Sequence, residues 1–225
     1  MPHAFSNDSF LPEGTGETEK YITENGISVV TTLEVPNREM QIAFLNSILK
    51  GAVSENLRTG IPWQVTMGQA AQETGWGSKL ILDMYTGKDS NNLYGIKYVG
   101  SVSDSEKYVR AWTSEYIERS ALNDWKQIQA KWSLNDEPIR NTGKTNAKGE
   151  ILIKVIQPFK VFSSKDESII GHSQTLNNGL YDDAMKFKDD PYKFLKAISG
   201  IYATDDSYYT SVSSHMTKYL KWDGK

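Results

Sequence analysis

The chain of 225 residues contains no cysteine. This absence excludes disulfides, zinc–thiolate sites, iron–sulfur clusters and cysteine nucleophiles. The three histidines, His3, His172 and His215, form no HExxH-type pair, so we expect no metal site and no other cofactor. Basic residues number 25 and acidic residues 28, which gives a net charge of −3 and argues against a globally basic nucleic-acid-binding protein.

Long apolar runs are also missing, since none approaches the ~20 residues that a membrane-spanning helix needs. The first eight residues, MPHAFSND, lack the basic and apolar regions of a secretory signal peptide. The sequence therefore fits a protein that acts inside its cell, one that leaves by another route, or one whose signal has been removed. Aromatic residues make up 11% of the chain, which is too many for a disordered protein and indicates a folded core.

The composition divides the chain into two predicted parts. Residues 1–36 contain several glycines and prolines and one strand-like run at 27–33, so they are interpreted as an N-terminal extension or packing arm, with a disordered tail as the alternative. Residues 37–225 are predicted to form the functional domain. Asn37 is a good N-cap for a first helix, and the spacing of its apolar residues predicts a buried face. The residues that define this face are Ile42, Leu45, Leu49 and Val53, with Phe44 and Ile48 widening it.

The remaining elements predict an α+β, mostly helical fold. A second helix begins with Pro62 in its first turn and ends at the glycines of residues 75–77. A β-containing insertion spans about residues 95–162, in which Pro158 favours an edge position for the run 151–162. Three helices follow, opening at Ser164, Asp190 and Asp206.

One segment concentrates residues with catalytic potential, residues 69–77, QAAQETGWG. Glu73 lies on the last turn of a predicted helix, where the negative end of the helix dipole disfavours an ionised carboxylate. Desolvation by Trp76 would act in the same direction, and a carboxyl group with a raised pKa can serve as a general acid near neutral pH. The plain alternative is a solvated glutamate at a helix end.

Three further segments offer complementary chemistry. Residues 91–97, NNLYGIK, form a predicted turn whose amides and tyrosine could hold sugar hydroxyl and acetamido groups. Residues 113–116, TSEY, supply Glu115 as a second carboxylate, and glycosidic bond cleavage uses two carboxylates. Residues 202–205, YATD, supply Tyr202, which could orient water or substrate. Read alone, each is also explained by a turn, a surface strand or a packed tyrosine.

Taken together and in this order, the four segments closely resemble glycoside hydrolase family 73, the β-N-acetylglucosaminidases of peptidoglycan. The resemblance covers about residues 38–222. It implies a lysozyme-like fold in which a helical lobe and a β-lobe flank a substrate groove. It implies hydrolysis of the β-1,4 bond between N-acetylglucosamine and N-acetylmuramic acid. Glu73 matches the catalytic acid, Glu115 an acidic residue of the β-lobe and Tyr202 a tyrosine near the acid. The candidate substrate-binding residues are Trp76, Asn92, Tyr94, Lys97 and Asp205.

Some features depart from the family pattern. Residues 119–150 are longer than the matching segment, so Glu118 or Glu150 could align in place of Glu115, and Thr74 stands where serine is common. The mechanism stays open between inversion, with Glu115 activating water, and retention, with the substrate acetamido group as nucleophile. Trp112 is expected to pack in the core.

The rival functions are a lytic transglycosylase or muramidase on the same fold and a noncatalytic wall-binding or virion structural module. The expected partner is the glycan strand of peptidoglycan, with the oligomeric state left open. A phage lysin released by a holin, a lysin carried on a virion, and an exported bacterial enzyme all fit.

Overall fold

A computed structural model describes residues 37–101, 103–124, 126–128, 137–203 and 207–220, together with the backbone of two short strands that precede them. These strands, β1 (Tyr21–Ile22) and β2 (Ser28–Val29), pair antiparallel with Tyr21 opposite Val29. Strand β2 falls inside the strand-like run predicted at residues 27–33. The rest of the predicted arm lies outside the described residues, as do Asp205 and Asp206.

Two helices open the domain, α1 (Arg38–Thr59) and α2 (Trp63–Thr74). The side chain of Asn37 caps α1 by accepting a hydrogen bond from Met40 N at 2.9 Å, as predicted. Gly60 ends α1 in the left-handed conformation with φ 79°. Pro62 is the N-cap residue of α2, one position before the first turn in which the sequence predicts it.

The predicted buried face of α1 is partly wrong. Ile42, Leu49 and Val53 are exposed, and the helix instead buries the stripe of Phe44, Leu45, Ile48, Ala52 and Glu55. Periodicity cannot distinguish these stripes, because both repeat every three or four residues. The observed stripe tolerates a buried carboxylate because Glu55 pairs with Arg58 and accepts a hydrogen bond from Ser173.

Three antiparallel strands follow in the order β3-β5-β4, where β3 is Tyr108–Ile117, β4 is Arg140–Thr145 and β5 is Ile151–Lys160. Strand β5 is central, so the predicted edge position is wrong. The paired register of β4 ends opposite Lys154, and Pro158 lies beyond it. There Tyr98 N donates to the carbonyl of Pro158 at 2.9 Å, a pairing that needs no N–H from proline.

Three helices complete the chain: α3 (Lys165–Leu176), α4 (Pro191–Tyr202) and α5 (Tyr208–Tyr219). Ser164 and Asp190 cap the first two through hydrogen bonds from Glu167 N and Lys193 N, as predicted. The predicted order of two helices, a β insertion and three helices is therefore confirmed in the described part of the chain.

Two hydrophobic cores underlie this order. We call α1–α5 the helical lobe, and its core joins all five helices. We call residues 108–160 the β-lobe, and its separate, smaller core consists of Ile117, Ile128, Ile151, Ile153 and Val155. The predicted α+β, mostly helical class is confirmed. Within the described ranges, no helix combines the length and apolarity required to cross a membrane.

Candidate active site

Glu73 is positioned by an unusually tight ending of α2. Gly75, Trp76 and Gly77 follow the helix with φ values of 52°, 61° and 78°, three left-handed residues in succession. Trp76 N donates to Ala71 O at 2.9 Å, which closes the turn onto the helix. A Cβ atom on Gly77 would lie 2.6 Å from the ring of Phe44, so this position needs glycine for contact with α1 as well as for its backbone angle.

The surroundings of Glu73 favour its protonated form. Burial raises the pKa of this carboxyl group from 4.5 to about 7, while a hydrogen bond from Tyr208 opposes part of the shift. The Tyr208 hydroxyl donates to Glu73 Oε1 at 3.3 Å. The residue nevertheless keeps partial contact with solvent. The carboxyl group is thus poised near neutral pH, within a residue that keeps partial exposure.

A chain of buried polar side chains continues from Tyr208 into the helical lobe. Gln69 Nε2 donates to the Tyr208 hydroxyl at 2.8 Å, and Gln69 Oε1 lies 3.1 Å from His172 Nε2. Burial lowers the pKa of His172 to about 3, so its ring is neutral. The ring stacks on Tyr94 at 3.9 Å between centroids and meets the edge of Tyr202 at 5.9 Å. Helices α2, α3 and α5 therefore share one polar network that ends on Glu73.

The sequence prediction named Tyr202 as the tyrosine near Glu73. Tyr202 is buried, its ring stacks on Tyr208 at 5.6 Å, and burial together with the charge of Glu73 raises its pKa. The hydrogen bond to Glu73, however, comes from Tyr208. The sequence alone indicated no role in the site for Tyr208, Gln69 or His172. Gln69 lies one turn before Glu73 on the same face of α2, and this spacing indicates that the two side chains are neighbours.

Glu115 lies in the β-lobe, opposite Ile153 in the β3–β5 register. Its Oε1 is 3.0 Å from Lys97 Nζ, so the structure brings two predicted site residues together. The alternatives differ in surroundings, since Glu118 is exposed just after β3 and Glu150 accepts a hydrogen bond from Asn146 within the β4–β5 turn.

Asn92 and Tyr94, predicted to bind substrate, are largely occupied by the protein itself. Asn92 Nδ2 donates to Ile96 O at 2.8 Å and Lys160 O at 3.0 Å, and its Oδ1 accepts from Ile96 N at 2.9 Å. The Tyr94 hydroxyl donates to Thr66 O at 3.3 Å. Both residues therefore tie the NNLYGIK segment to its neighbours, and substrate binding by either stays a prediction.

The two predicted tryptophans lie in different surroundings. The ring of Trp76 makes edge contacts with His215 and Tyr219 of α5, each at 4.8 Å between centroids, and stays half-buried. Trp112 is also half-buried, with the Arg140 guanidinium 4.6 Å from its ring centroid, so it lies on the sheet surface and the prediction of core packing is wrong. In the part of the chain that is described, no cluster of three or more histidine, aspartate or glutamate residues could hold a metal ion.

Comparison with known proteins finds a matching family model and several relatives of this chain. Residues 49–221 match the family model Glucosaminidase, described as mannosyl-glycoprotein endo-beta-N-acetylglucosaminidase. The peptidoglycan hydrolase FlgJ of Vibrio parahaemolyticus is 25% identical over 203 residues, 89% of this chain and 54% of its own length. The protein of the same name from Pseudomonas aeruginosa is 28% identical over 172 residues, 76% of this chain and 34% of its own. The chain thus spans about half or less of these relatives.

Solved structures of related domains share the lysozyme-like fold of this chain. The C-terminally truncated glycoside hydrolase domain of FlgJ from Salmonella typhimurium superposes with a TM-score of 0.53 at 22% identity, covering 80% of this chain and 97% of that one. The catalytic domain of the autolysin Auto from Listeria monocytogenes gives a TM-score of 0.54 at 22% identity, covering 84% and 89%. Because the family model covers well over half of the sequence, the chain belongs to the glucosaminidase family of glycoside hydrolases, glycoside hydrolase family 73.

Proposed function

We propose that this chain hydrolyses the β-1,4 bond between N-acetylglucosamine and N-acetylmuramic acid in bacterial peptidoglycan, with Glu73 as the general acid. One observation carries the proposal: Glu73 combines partial exposure with a pKa raised to about 7. A substantial fraction of such a group is protonated at neutral pH, and it can deliver that proton to a leaving glycosidic oxygen.

The choice of peptidoglycan is supported by the relatives, two of which carry the name peptidoglycan hydrolase and a third the name autolysin. Their names are properties of those proteins, and their extension to this chain is part of the proposal. The site of action is then the bacterial cell wall. The glycan strand is the partner on which the chain acts.

In the proposed reaction Glu73 protonates the glycosidic oxygen as the bond breaks through an oxocarbenium-like state. Glu115 is proposed as the second carboxylate, activating water or stabilising the cationic centre. Its location in the β-lobe, away from the helical core that holds Glu73, suits a residue that approaches when the lobes close on substrate. Tyr202 is proposed to act by packing against Tyr208, because its side chain is buried.

The test is digestion of purified peptidoglycan by the wild type, by Glu73→Gln and by Glu106→Gln, a matched control at an exposed glutamate. Released fragments are reduced with borohydride and identified by mass spectrometry. We expect reduced glucosamine ends from the wild type and from Glu106→Gln, and none from Glu73→Gln.

Other products would change the proposal in defined ways. Reduced muramic acid ends would indicate a muramidase, and anhydro-muramic ends a lytic transglycosylase. Equal release by the wild type and Glu73→Gln would remove the catalytic role of Glu73. No release by any of the three proteins would favour a noncatalytic wall-binding module.

A further inference from the structure

We propose that His172 is a positioning residue that acts through Gln69 and Tyr208 to hold the acidic proton of Glu73 on Oε2, the carboxyl oxygen not bonded to Tyr208. This inference rests on the proposed function, in which Glu73 is the general acid. The evidence is the direction of each hydrogen bond along the chain from His172 to Glu73.

The amide of Gln69 has one donating end and one accepting end. Its Nε2 donates to the Tyr208 hydroxyl at 2.8 Å, so its Oε1 faces His172 Nε2 at 3.1 Å. An oxygen there needs a donor, and His172 must therefore carry its proton on Nε2. The other ring nitrogen gives the same answer, because His172 Nδ1 is buried without a hydrogen-bond partner. A bare lone pair suits that position better than an N–H, because burying an N–H without a partner leaves its desolvation uncompensated.

The hydroxyl of Tyr208 extends the same direction of hydrogen bonding to Glu73. Its oxygen accepts from Gln69, which leaves its own hydrogen to donate to Glu73 Oε1 at 3.3 Å. When Glu73 is neutral, Oε1 is then the accepting oxygen and the acidic proton resides on Oε2. The proton is thereby held on the oxygen that makes no bond to this network.

The reverse arrangement shows what His172 contributes. If the Gln69 amide turned over, the Tyr208 hydroxyl would donate to Gln69 and could accept a hydrogen bond from Glu73. The acidic proton would then lie on Oε1, engaged with Tyr208 and withheld from a leaving oxygen. The Nε2–H form of His172 prevents this, since it requires an accepting atom from Gln69.

The remaining groups around the network do not titrate in the working range. Tyr94 from the NNLYGIK segment, Tyr202 from α4 and Tyr208 from α5 all have pKa values raised by burial. Burial keeps His172 of α3 neutral. A titration observed between about pH 5 and 9 in this cluster therefore belongs to Glu73.

The first experiment measures the tautomer of His172 in the wild-type protein by nitrogen NMR of its three histidines. His172→Phe assigns the signal. We expect a protonated Nε2 and an unprotonated Nδ1 throughout pH 5–8. A protonated Nδ1, or fast averaging of the two tautomers, would overturn the proposal. This measurement needs no catalytic activity. If His172→Phe does not fold, His3→Phe and His215→Phe together assign the remaining signal to His172.

The second experiment compares His172→Phe, Tyr208→Phe and the double variant by carbon NMR titration of the Glu73 carboxyl group and by the pH profile of glycan cleavage. Tyr208→Phe removes the hydrogen bond that stabilises ionised Glu73, and His172→Phe lets the Gln69 amide turn over, so that the Tyr208 hydroxyl can donate to Gln69 instead of Glu73. We expect each to raise the Glu73 pKa by about half a unit to one unit, and the double variant to raise it no further than Tyr208→Phe alone. Tyr181→Phe, a buried tyrosine of the same core, is the matched control and should leave the titration unchanged.

The rates of glycan cleavage by these variants provide a further test of the proposal. At pH 5, where Glu73 is protonated in all variants, His172→Phe should lower kcat about tenfold with KM unchanged, because the proton is drawn to Oε1. Adding Tyr208→Phe should recover part of this loss, since the accepting oxygen is gone. Additive pKa shifts, or a double variant slower than His172→Phe, would overturn the proposal. If the wild type cleaves no glycan while the tautomer and the titrations are as expected, the proposed function fails and the positioning of the proton stands.

Discussion

The two carboxylates that the proposed reaction uses lie in opposite kinds of surroundings. In the helical lobe, Glu73 ends a chain of buried neutral side chains, and burial is the main cause of its raised pKa. In the β-lobe, Glu115 is paired with a cation, Lys97 Nζ, at 3.0 Å, and the two side chains remain 12% and 22% exposed. Desolvation and directed hydrogen bonds thus determine the protonation of Glu73, whereas Glu115 makes a direct ion pair.

The lobes also differ in how firmly they hold these groups. The helical core joins residues from all five helices around Glu73. The core of the β-lobe contains five buried side chains in the described part of the chain, with three partly buried neighbours. A carboxyl group that must keep its proton in one place benefits from the rigid lobe. A group that approaches a bound substrate benefits from the more loosely held one.

The largest expected effect is on activity. Glu73→Gln should lower kcat by about 10³-fold, within the 10²–10⁴ range of general-acid catalysis. Glu115→Gln should lower kcat by about 10²-fold. The measurement is the initial rate of reducing-end release, with Glu106→Gln as the control at an exposed glutamate. A Glu115→Gln variant with wild-type kcat would confine catalysis to the helical lobe and favour attack by the substrate acetamido group.

The second effect is a pH-dependent gain in stability on replacing Glu73. The folded-state pKa is about 7 against an ordinary value of 4.5, so between these values the native state holds a proton that the unfolded chain releases. Native stability therefore falls as pH rises through this window, by at most about 3 kcal/mol once the pH exceeds 7. Glu73→Gln removes the ionisable group, and its free energy of unfolding should exceed that of the wild type at pH 8 but match it at pH 4.5.

Urea unfolding at the two pH values measures this difference. Glu106→Gln, the same substitution at an exposed glutamate, is the matched control. An equal effect of Glu73→Gln at pH 4.5 and pH 8 would mean that the carboxyl group titrates normally in the native protein. That result would remove the main contrast between the two lobes.

Local signals explain what the sequence predicted correctly. Asn37, Ser164 and Asp190 cap helices through bonds to residues three positions away, so each signal is complete within one turn. Tertiary packing decides which face of a helix is buried when the local sequence allows two. Leu49 is exposed while Ile48, its neighbour on α1, is fully buried, and the choice depends on α2 and α3.

In the candidate site, too, some features follow from the local sequence and others only from the fold. Glu73 could be named as a candidate because its motif is continuous and because its place at a helix end has a direct electrostatic consequence. The hydrogen bonds that control it join Gln69 to His172, 103 residues away, and to Tyr208, 139 residues away. No spacing rule connects positions so distant in sequence, so only the fold brings them together.

A third prediction concerns the local stability of the lobes. Backbone amides of β4 and of the adjoining half of β5 should exchange with solvent through openings at least ~1.4 kcal/mol smaller than those of α4, because the β-lobe has the smaller core. Native-state hydrogen exchange followed by NMR or mass spectrometry measures this directly. Equal protection of Ile153 and Ile198, both fully buried, would show that the lobes unfold as one unit.

The smallest effect concerns the ion pair itself. Lys97→Met keeps the length of the side chain and removes its charge, and we expect it to lower the free energy of unfolding by about 0.5–1 kcal/mol, because the pair is only partly buried. Lys107→Met, which breaks an exposed pair with Asp104, is the matched control and should change nothing measurable. Since Lys97 contacts Glu115, its loss should also lower glycan cleavage more than Lys107→Met does, and by less than Glu115→Gln. A Lys97→Met variant with unchanged stability and rate would show that the ion pair neither holds the β-lobe nor serves the reaction, leaving Glu115 to act through its position on β3 alone.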